Sequence, residues 1–232
     1  MTTATDEVLG PRLAADPAAP LVTHYDVGRG SRVELSVVTT ANWAAKIAGL
    51  LRDELGVAPG DVVAVDVPGH WLAAGVLLGA WWAGAEVRTG PDAAAAAAAL
   101  VTTPERLDAH PDDVETLVMT TDPMGRPVTA AGVALPPGVA DLAESCRIHP
   151  DSFSPAGGSG AALDGAPVSA LASAALGGRV LLAEPAEPLA ALAGVFASGG
   201  SAVLVTGLPA DEAGARAELD RVAGAEHAAP PA

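Results

Sequence analysis

The order of hydrophobic patterns between Ser36 and Gly90 constrains the fold of this chain more than any other feature. An amphipathic helical period is followed by a turn, a continuous apolar run, a second helical period and another short apolar run. Residues 62–67 are too apolar for a strand with a solvated face, which predicts a central strand in a mainly parallel sheet. This alternation is typical of a layered α/β fold with flanking helices.

Two helices are predicted on either side of that strand. Apolar residues recur at helical spacing over residues 43–55, opposite a polar face, as in an amphipathic surface helix. The second helix is predicted from His70 to Ala83, where it ends at Gly84 before a short strand at 85–88.

Residues 21–26 and 32–35 are β-formers around a glycine-bearing link, which predicts a small antiparallel N-terminal hairpin, placed as a flap at the entrance to the domain. Residues 1–20 leave a short helix and a loose arm as alternatives. The other predicted elements are helices at 93–99, 141–147, 168–176, 189–197 and 211–224, a helix start at 103–105, strands at 100–102, 117–121, 179–183 and 201–206, and a frayed tail at 228–232.

Residues 60–90 can be laid over residues 177–207 without a gap, at an offset of 117 residues. Both segments contain a strand, a proline, an apolar helix, a glycine and a strand, which predicts two related βαβ halves. Chance similarity in an alanine-rich chain is the alternative. We predict one compact domain over 1–232, built from a first α/β half at 21–147, a loop at 148–167, a second α/β half at 160–207, and a C-terminal helix and tail at 208–232.

Charge and cysteine content exclude several classes of function. A net charge of -16, from 12 basic and 28 acidic residues, argues against binding to nucleic acid or to an anionic membrane. The single cysteine, Cys146, excludes an internal disulfide and a cysteine-based metal site. The N-terminus lacks a signal-peptide pattern, and the apolar run at 70–85 is shorter than the ~18 residues of a membrane span. We therefore expect a cytoplasmic protein.

Several motifs occur together in the first part of the chain: a hairpin strand at 32–35, a helix ending in two leucines at 43–51, a strand at 60–65, Pro68, and Ala-Gly-Ala at 83–85. On these motifs the chain resembles the N-terminal part of the adenylate-forming superfamily, which includes acyl-CoA synthetases and other AMP-binding enzymes. More narrowly, it resembles short actinobacterial proteins that carry only this portion. The second of the two similar segments, at 179–205, is similar to the second subdomain of the superfamily.

The resemblance also implies features that this sequence lacks. A phosphate loop ending in lysine is expected just before Val168, but residues 155–167 contain neither threonine nor lysine. Gly157 to Gly160 could supply backbone N–H groups to a phosphate but no cation. Lys46 is the only lysine, so the catalytic lysine of the superfamily is not expected in the chain, nor are its magnesium-binding and ribose-binding landmarks. We predict no cofactor and no adenylation.

These observations lead to two alternative functions. The first is a non-catalytic relative of adenylate-forming enzymes that binds a protein partner, a second copy of itself or a small ligand. The second is a hydrolase or other enzyme that uses the region from Cys146 to Ser159. Gly157-Gly158-Ser159-Gly160-Ala161 is one residue short of a nucleophile elbow, and Cys146 lies three residues before His149. A flexible loop and an inert cysteine are the structural alternatives.

Two residues of the second helix are further candidates for a pocket. His70 opens that helix at the carboxyl end of a strand, where open α/β sheets bind their ligands. An exposed Trp81 would line a pocket or a subunit contact, whereas packing in the core is the alternative. The five histidines show no zinc-binding spacing, which predicts no metal site. The pocket candidates are therefore His70, Trp81, Gly157, Gly158, Ser159 and Gly160.

Overall fold

Two sheets with mostly parallel strands form the framework of the protein in a computed structural model that describes residues 2–90, 92–111 and 113–229. The first sheet has the strand order β2-β1-β9-β8, and the second has the order β4-β3-β5-β6-β7. The strands are β1 (Pro20–Asp26), β2 (Ser31–Ser36), β3 (Val62–Val65), β4 (Glu86–Arg88), β5 (Ala99–Thr102), β6 (Thr116–Val118), β7 (Val139–Asp141), β8 (Arg179–Ala183) and β9 (Ser201–Thr206).

Seven helices accompany the sheets in the described residues, and they confirm the predicted α/β class. The long apolar helix α3 lies at the centre, and each of its residues except Trp82 is buried. The helices are α1 (Ala4–Ala15), α2 (Val37–Asp53), α3 (Trp71–Ala83), α4 (Leu142–Ser145), α5 (Val168–Leu171), α6 (Pro188–Ala197) and α7 (Glu212–Glu226).

Small residues on α3 permit its close packing against α2. A Cβ atom added to Gly79 would lie 2.9 Å from Ile47 Cβ and 3.0 Å from the Ala44 carbonyl oxygen. Helix α3 ends at Gly84, as predicted, because its φ of +88° lies in the left-handed region that glycine adopts without strain. Helix α3 is therefore packed closely against α2.

The N-terminal hairpin is antiparallel as predicted, but it does not form a flap. Strand β1 pairs in parallel with β9 on its other edge, from Val22 opposite Ala202 to Asp26 opposite Thr206. Residues 21–25 are buried, so this strand needs a partner on both sides and cover on both faces. The flap prediction is wrong because the pairing strand lies about 180 residues later in the chain.

Several segments do not form the structure that their local sequence predicts. The polyalanine run forms a 3-10 turn at Ala93–Ala96 and then strand β5, since Ala99 pairs with Val63 of β3. The predicted helix at 168–176 is only α5 followed by a 3-10 turn at Ala174–Leu176. Sequence reasoning missed β7. The predicted frayed tail is wrong at Ala229, which pairs with Val180, while residues 230–232 lie outside the described part.

The two similar segments, 60–90 and 177–207, both fold as a strand, a helix and a parallel strand. The first is β3-α3-β4 and the second is β8-α6-β9, and each belongs to a different sheet. Their helices α3 and α6 contact each other. The division of the chain into halves at the predicted boundaries stays a prediction. Among the described residues, we find no helix with the length and apolar character needed to cross a membrane.

Candidate functional site

The carboxyl ends of the two sheets meet at the start of α3. The segment that follows β3 contacts the end of the other sheet: a Cβ atom added to Gly69 would lie 3.4 Å from Thr206 Cγ2 and 3.9 Å from Pro185 Cδ. Crevices at the carboxyl ends of parallel strands are the usual binding places in α/β proteins. This edge is therefore the first place to look for a site.

Two buried histidines lie at this junction. His70 is the N-cap of α3, and its Nδ1 accepts a hydrogen bond from the Leu72 N–H at 3.2 Å. The His24 ring, on β1, packs edge-on against it with 5.0 Å between ring centroids. His24 Nε2 lies 2.8 Å from Thr206 Oγ1 on β9. The pair thus connects β1, β9 and α3.

Burial keeps both rings neutral at pH 7. It lowers the pKa of His24 to about 4, with Asp26 opposing the shift. It lowers the pKa of His70 to about 3, and the neighbouring His24 lowers it further. The Asp122 backbone acts in the opposite direction and raises the pKa of His70 in part, which places it close to the ring. Nε2 of His70 has no partner with good hydrogen-bond geometry among the described residues.

A cavity of about 590 Å³ opens beside this junction, and we call it the edge cavity. Its wall is formed mainly by the segment after β6, and Arg29 from the hairpin link closes one side. This volume lies in the ~300 to 1,000 Å³ range of small-molecule sites. The lining residues are Arg29, Pro104, Glu105, Thr120, Thr121, Asp122, Pro123, Arg126, Pro127, Val128, Ala130, Ala131 and Val133.

The two arginines of the edge cavity are already paired. Arg29 donates to Asp26 Oδ2 at 3.0 Å and to the Thr121 carbonyl oxygen at 3.0 Å. Arg126 donates to Asp122 Oδ2 through Nη2 at 2.8 Å and through Nε at 3.1 Å. The hydrogen bond from Arg126 lowers the pKa of Asp122 to about 2. The cavity therefore offers no strong unpaired positive charge.

A second cavity, of about 310 Å³, lies between the ends of β3, β4 and the start of α6. Asp66, directly after β3, accepts hydrogen bonds from Arg106 and from His110 Nε2, the latter at 3.0 Å. His110 Nδ1 and Thr102 Oγ1 are buried without partners in the described part of the chain. Sequence reasoning missed this group, although the position of Asp66 at a strand end was the available signal.

The remaining pocket candidates are used for packing. Trp81 is only 1% exposed, and its indole Nε1 donates to the Ala162 carbonyl oxygen at 2.7 Å. Of the two alternatives for Trp81, the structure shows packing in the core, because every residue of α3 except Trp82 is buried. Trp82 is the partly exposed tryptophan of this helix, and its Nε1 donates to Asp6 Oδ1 at 2.8 Å.

The glycine-rich loop at 157–160 packs closely against other backbone segments. The Gly157 carbonyl oxygen lies 2.5 Å from where a Cβ atom of Gly84 would be, and a Cβ atom on Gly158 would lie 2.9 Å from the Thr2 carbonyl oxygen. Ser159 Oγ accepts from the Ala161 N–H at 3.2 Å, and it has no hydrogen bond to a histidine within the described ranges. Among the described residues, no lysine or arginine side chain donates a hydrogen bond to residues 157–160, so the loop lacks the cation that usually accompanies a phosphate site.

The residues around Cys146 are buried or paired with other side chains. Cys146 is fully buried, and burial raises the pKa of its thiol to about 11, which disfavours the reactive thiolate. His149 Nε2 lies 2.8 Å from Glu54 Oε1, not beside Ser159. Lys46 donates to the His149 carbonyl oxygen at 2.9 Å and pairs with Asp151 at 2.9 Å. The single lysine thus fastens the segment around 149–151 to α2.

Metal binding has no support within residues 2–90, 92–111 and 113–229, where no three side chains of His, Cys, Asp or Glu form a group that could hold an ion. The site that remains is the junction of the two sheets, where His70 and the edge cavity lie together.

Comparison with solved structures agrees with this architecture. The fold matches a crystal structure of an acyl-CoA synthetase from Brucella canis with a TM-score of 0.71 and 20% sequence identity. The match covers 95% of this chain and 46% of the synthetase, so the chain spans less than half the length of that enzyme. At 20% identity, this similarity establishes a shared fold and nothing further.

Sequence comparison gives the family. No family model matches the sequence. A protein of Mycobacterium tuberculosis described as a "TIGR03089 family protein" is 42% identical over 226 residues, which cover 88% of this chain and 90% of the relative. Identity at this level over nearly the whole of both chains shows common descent. The chain therefore belongs to the TIGR03089 family.

Proposed function

We propose that this protein is a non-catalytic binding module, related to the N-terminal part of adenylate-forming enzymes, that holds a small molecule in the edge cavity. The observation that carries the proposal is the position of this cavity at the carboxyl ends of strands from both sheets, between Arg29, which follows β1, and the segment that follows β6. A pocket with a few convergent polar groups at this edge is the usual arrangement of a ligand site in an α/β protein.

The proposal of a non-catalytic role is supported by the surroundings of two features that could act on a phosphate, the glycine-rich loop and the single lysine. The loop at 157–160 lies in the segment where the resemblance puts a phosphate loop, but it packs against Gly84 and Thr2, and no described lysine or arginine side chain donates a hydrogen bond to it. Lys46 is held by His149 and Asp151 through a hydrogen bond and an ion pair. Neither group is free to act on a phosphate.

A thermal-shift screen tests the proposal with a matched pair of variants. Ala130 lines the edge cavity and Ala134 does not, and both are exposed positions on the same loop. A tryptophan at 130 fills the cavity without entering the core, whereas a tryptophan at 134 leaves it open. The screen includes ATP, AMP, acyl-CoAs and neutral small molecules.

We expect at least one compound to raise the Tm of the natural protein and of Ala134→Trp, but not that of Ala130→Trp. A ligand at ten times its Kd stabilises by about 1.4 kcal/mol, or roughly 3–6 °C for a domain of this size. If no compound raises the Tm, or if Ala130→Trp responds as the natural protein does, the proposed function is wrong.

A further inference from the structure

Three of the four edges of the two sheets are covered by other segments or are very short. At β8, the Leu181 N–H donates to the Ala229 carbonyl oxygen at 2.7 Å. At β4, the Val87 N–H donates to the Ala162 carbonyl oxygen at 2.9 Å. The third edge strand, β7, has only three residues. Covering and shortening are usual ways in which proteins keep sheet edges from pairing with other chains.

Strand β2 is the fourth edge, and it is neither covered nor short. It has six residues, and within the described part of the chain it pairs with β1 alone. Arg32 and Glu34 are exposed, whereas the other residues of the strand are partly buried. An open edge of this length is a template for pairing with another strand.

The pairing of β1 determines which backbone groups of β2 point outward. Val27, directly after β1, donates its N–H to β9 at 2.8 Å. Backbone groups of successive strand residues point to opposite sides, so those of Asp26 point to β2. Asp26 is opposite Ser31, and these two residues therefore exchange hydrogen bonds. It follows that the N–H and C=O groups of Arg32 and Glu34 point away from β1, to the open edge.

The charges on this edge are self-complementary. Arg32 and Glu34 are two residues apart, so they lie on the same face of the strand. When β2 of a second copy pairs antiparallel about a two-fold axis through Val33, Arg32 of each copy lies opposite Glu34 of the other. Both residues have outward backbone groups, so each such pair also exchanges two backbone hydrogen bonds. An axis through Arg32 or through Glu34 would place like charges opposite each other, which disfavours those registers.

Both side chains keep an atom for this pairing. Arg32 donates through Nε to Glu226 at 2.9 Å and through Nη2 to Glu34 Oε2 at 2.7 Å, while its Nη1 has no partner among the residues that the structure describes. Glu34 Oε2 also accepts from Thr23 and Arg179, whereas Glu34 Oε1 accepts from no described residue. The existing bonds hold the two side chains in place without using all their charged groups.

We propose that β2 is a self-association surface, at which two copies of this chain form an antiparallel dimer with Arg32 of each copy paired with Glu34 of the other. The sheets of order β2-β1-β9-β8 then form one continuous sheet of eight strands, four from each copy. No residue of β2 lines the edge cavity, so this surface is separate from the proposed ligand site and does not depend on it.

Charge reversal tests the register with two variants that fail alone and succeed together. In a dimer of Arg32→Glu, glutamates face each other at both pairs, and in a dimer of Glu34→Arg, arginines do. An equimolar mixture again places glutamates opposite arginines. By sedimentation velocity, we expect each variant alone to dimerise at least about 10-fold more weakly than the natural protein and the mixture to recover the natural affinity. Arg216→Glu, at an exposed position of α7, is the control for net charge and should dimerise normally.

Hydrogen exchange of the natural protein gives a second readout that needs no variant. The N–H groups of Arg32 and Glu34 form hydrogen bonds only in the dimer, so their exchange should slow by about 10-fold or more when the protein concentration is raised through the dimer Kd. The Val33 N–H is bonded to β1 in both states and is the internal control. Equal exchange of the Arg32 and Glu34 N–H groups below and above the Kd would overturn the inference.

Three further results would overturn the inference. The first is a natural protein that stays monomeric at every concentration. The second is a dimer whose Kd is unchanged in both charge-reversal variants, since such a dimer uses another surface. The third is a mixture of the two variants, each folded by circular dichroism, that does not associate. Failure of the thermal-shift screen leaves this inference standing, because it concerns the edge cavity alone.

Discussion

The junction at His70 and the glycine-rich loop at 157–160 use their small and polar residues in opposite ways. At the junction, a ring nitrogen of His70 is buried without a well-aligned hydrogen-bond partner among the described residues, and a cavity of about 590 Å³ opens nearby. At the loop, glycines permit backbone segments to approach so closely that no side chain would fit between Gly157 and Gly84. One region keeps space and an unpaired ring nitrogen, and the other has neither.

This difference shows why a glycine-rich sequence is weak evidence for a phosphate site. Glycine allows close approach of any group, whether phosphate or protein backbone. What distinguishes the two uses is a neighbouring cation, and Lys46 is bonded to His149 and Asp151 instead. From this comparison we expect protonation of the buried histidines to destabilise the junction. At the loop, we expect an added side-chain atom to destabilise the protein.

The largest expected effect is acid destabilisation through His24 and His70. Both pKa values are lowered in the folded protein, to about 4 and about 3, so the unfolded chain binds more protons below its ordinary pKa of ~6.5. The stability that the neutral rings provide is complete above pH ~6.5 and is lost as the pH falls. At pH 5 each histidine should cost about 2 kcal/mol of unfolding free energy.

Urea denaturation at pH 7.5, 6 and 5 measures this effect. The carboxylates with strongly lowered pKa values, Asp122 and Glu226, titrate below this window and do not contribute to it. In His70→Asn the loss between pH 7.5 and 5 should fall by about half, to about 2 kcal/mol. An equal loss in the variant and the natural protein would show that His70 is not buried in its neutral form.

A smaller effect is expected at the loop, from Gly84→Ala. A Cβ atom there would lie 2.5 Å from the Gly157 carbonyl oxygen and 3.0 Å from Pro59 Cβ, and the φ of +88° adds strain. Gly132→Ala is the control, because Gly132 has a similar φ of +85° with open space around it. We expect about 1 kcal/mol of destabilisation in the control and about 3 kcal/mol in Gly84→Ala. Equal losses in urea denaturation would show that the loop does not pack as described.

Much of the fold could be predicted because its central elements have strong local signals. The turn, the apolar strand at β3 and the glycine that ends α3 are all visible in the sequence between Ser36 and Gly90. The partner of β1 could not be predicted, since pairing with β9 depends on a contact across most of the chain. The helix predicted for the polyalanine segment is wrong for a related reason, because pairing of Ala99 with β3 outweighs the helix propensity of alanine.

The candidate site was only partly predictable. The position of His70 after a strand indicated a pocket, but its partner His24 comes from a segment that the sequence places in a separate hairpin. The segment after β6, which forms most of the cavity wall, carries no motif in the sequence. The two alternatives for Trp81 could not be separated, because helical spacing does not reveal that α3 is buried at every residue except Trp82.

Two tryptophans report on the two regions and allow the most direct test. The Trp71 indole N–H donates to Pro123 at the edge cavity, and the Trp81 indole N–H donates to Ala162, just after the glycine-rich loop. In a two-dimensional NMR titration with a compound that raises the Tm in the thermal-shift screen, and separately with MgATP, we predict that the compound shifts the Trp71 signal and that neither probe shifts the Trp81 signal. A saturable shift of Trp81 by MgATP, with Trp71 unchanged, would contradict the account.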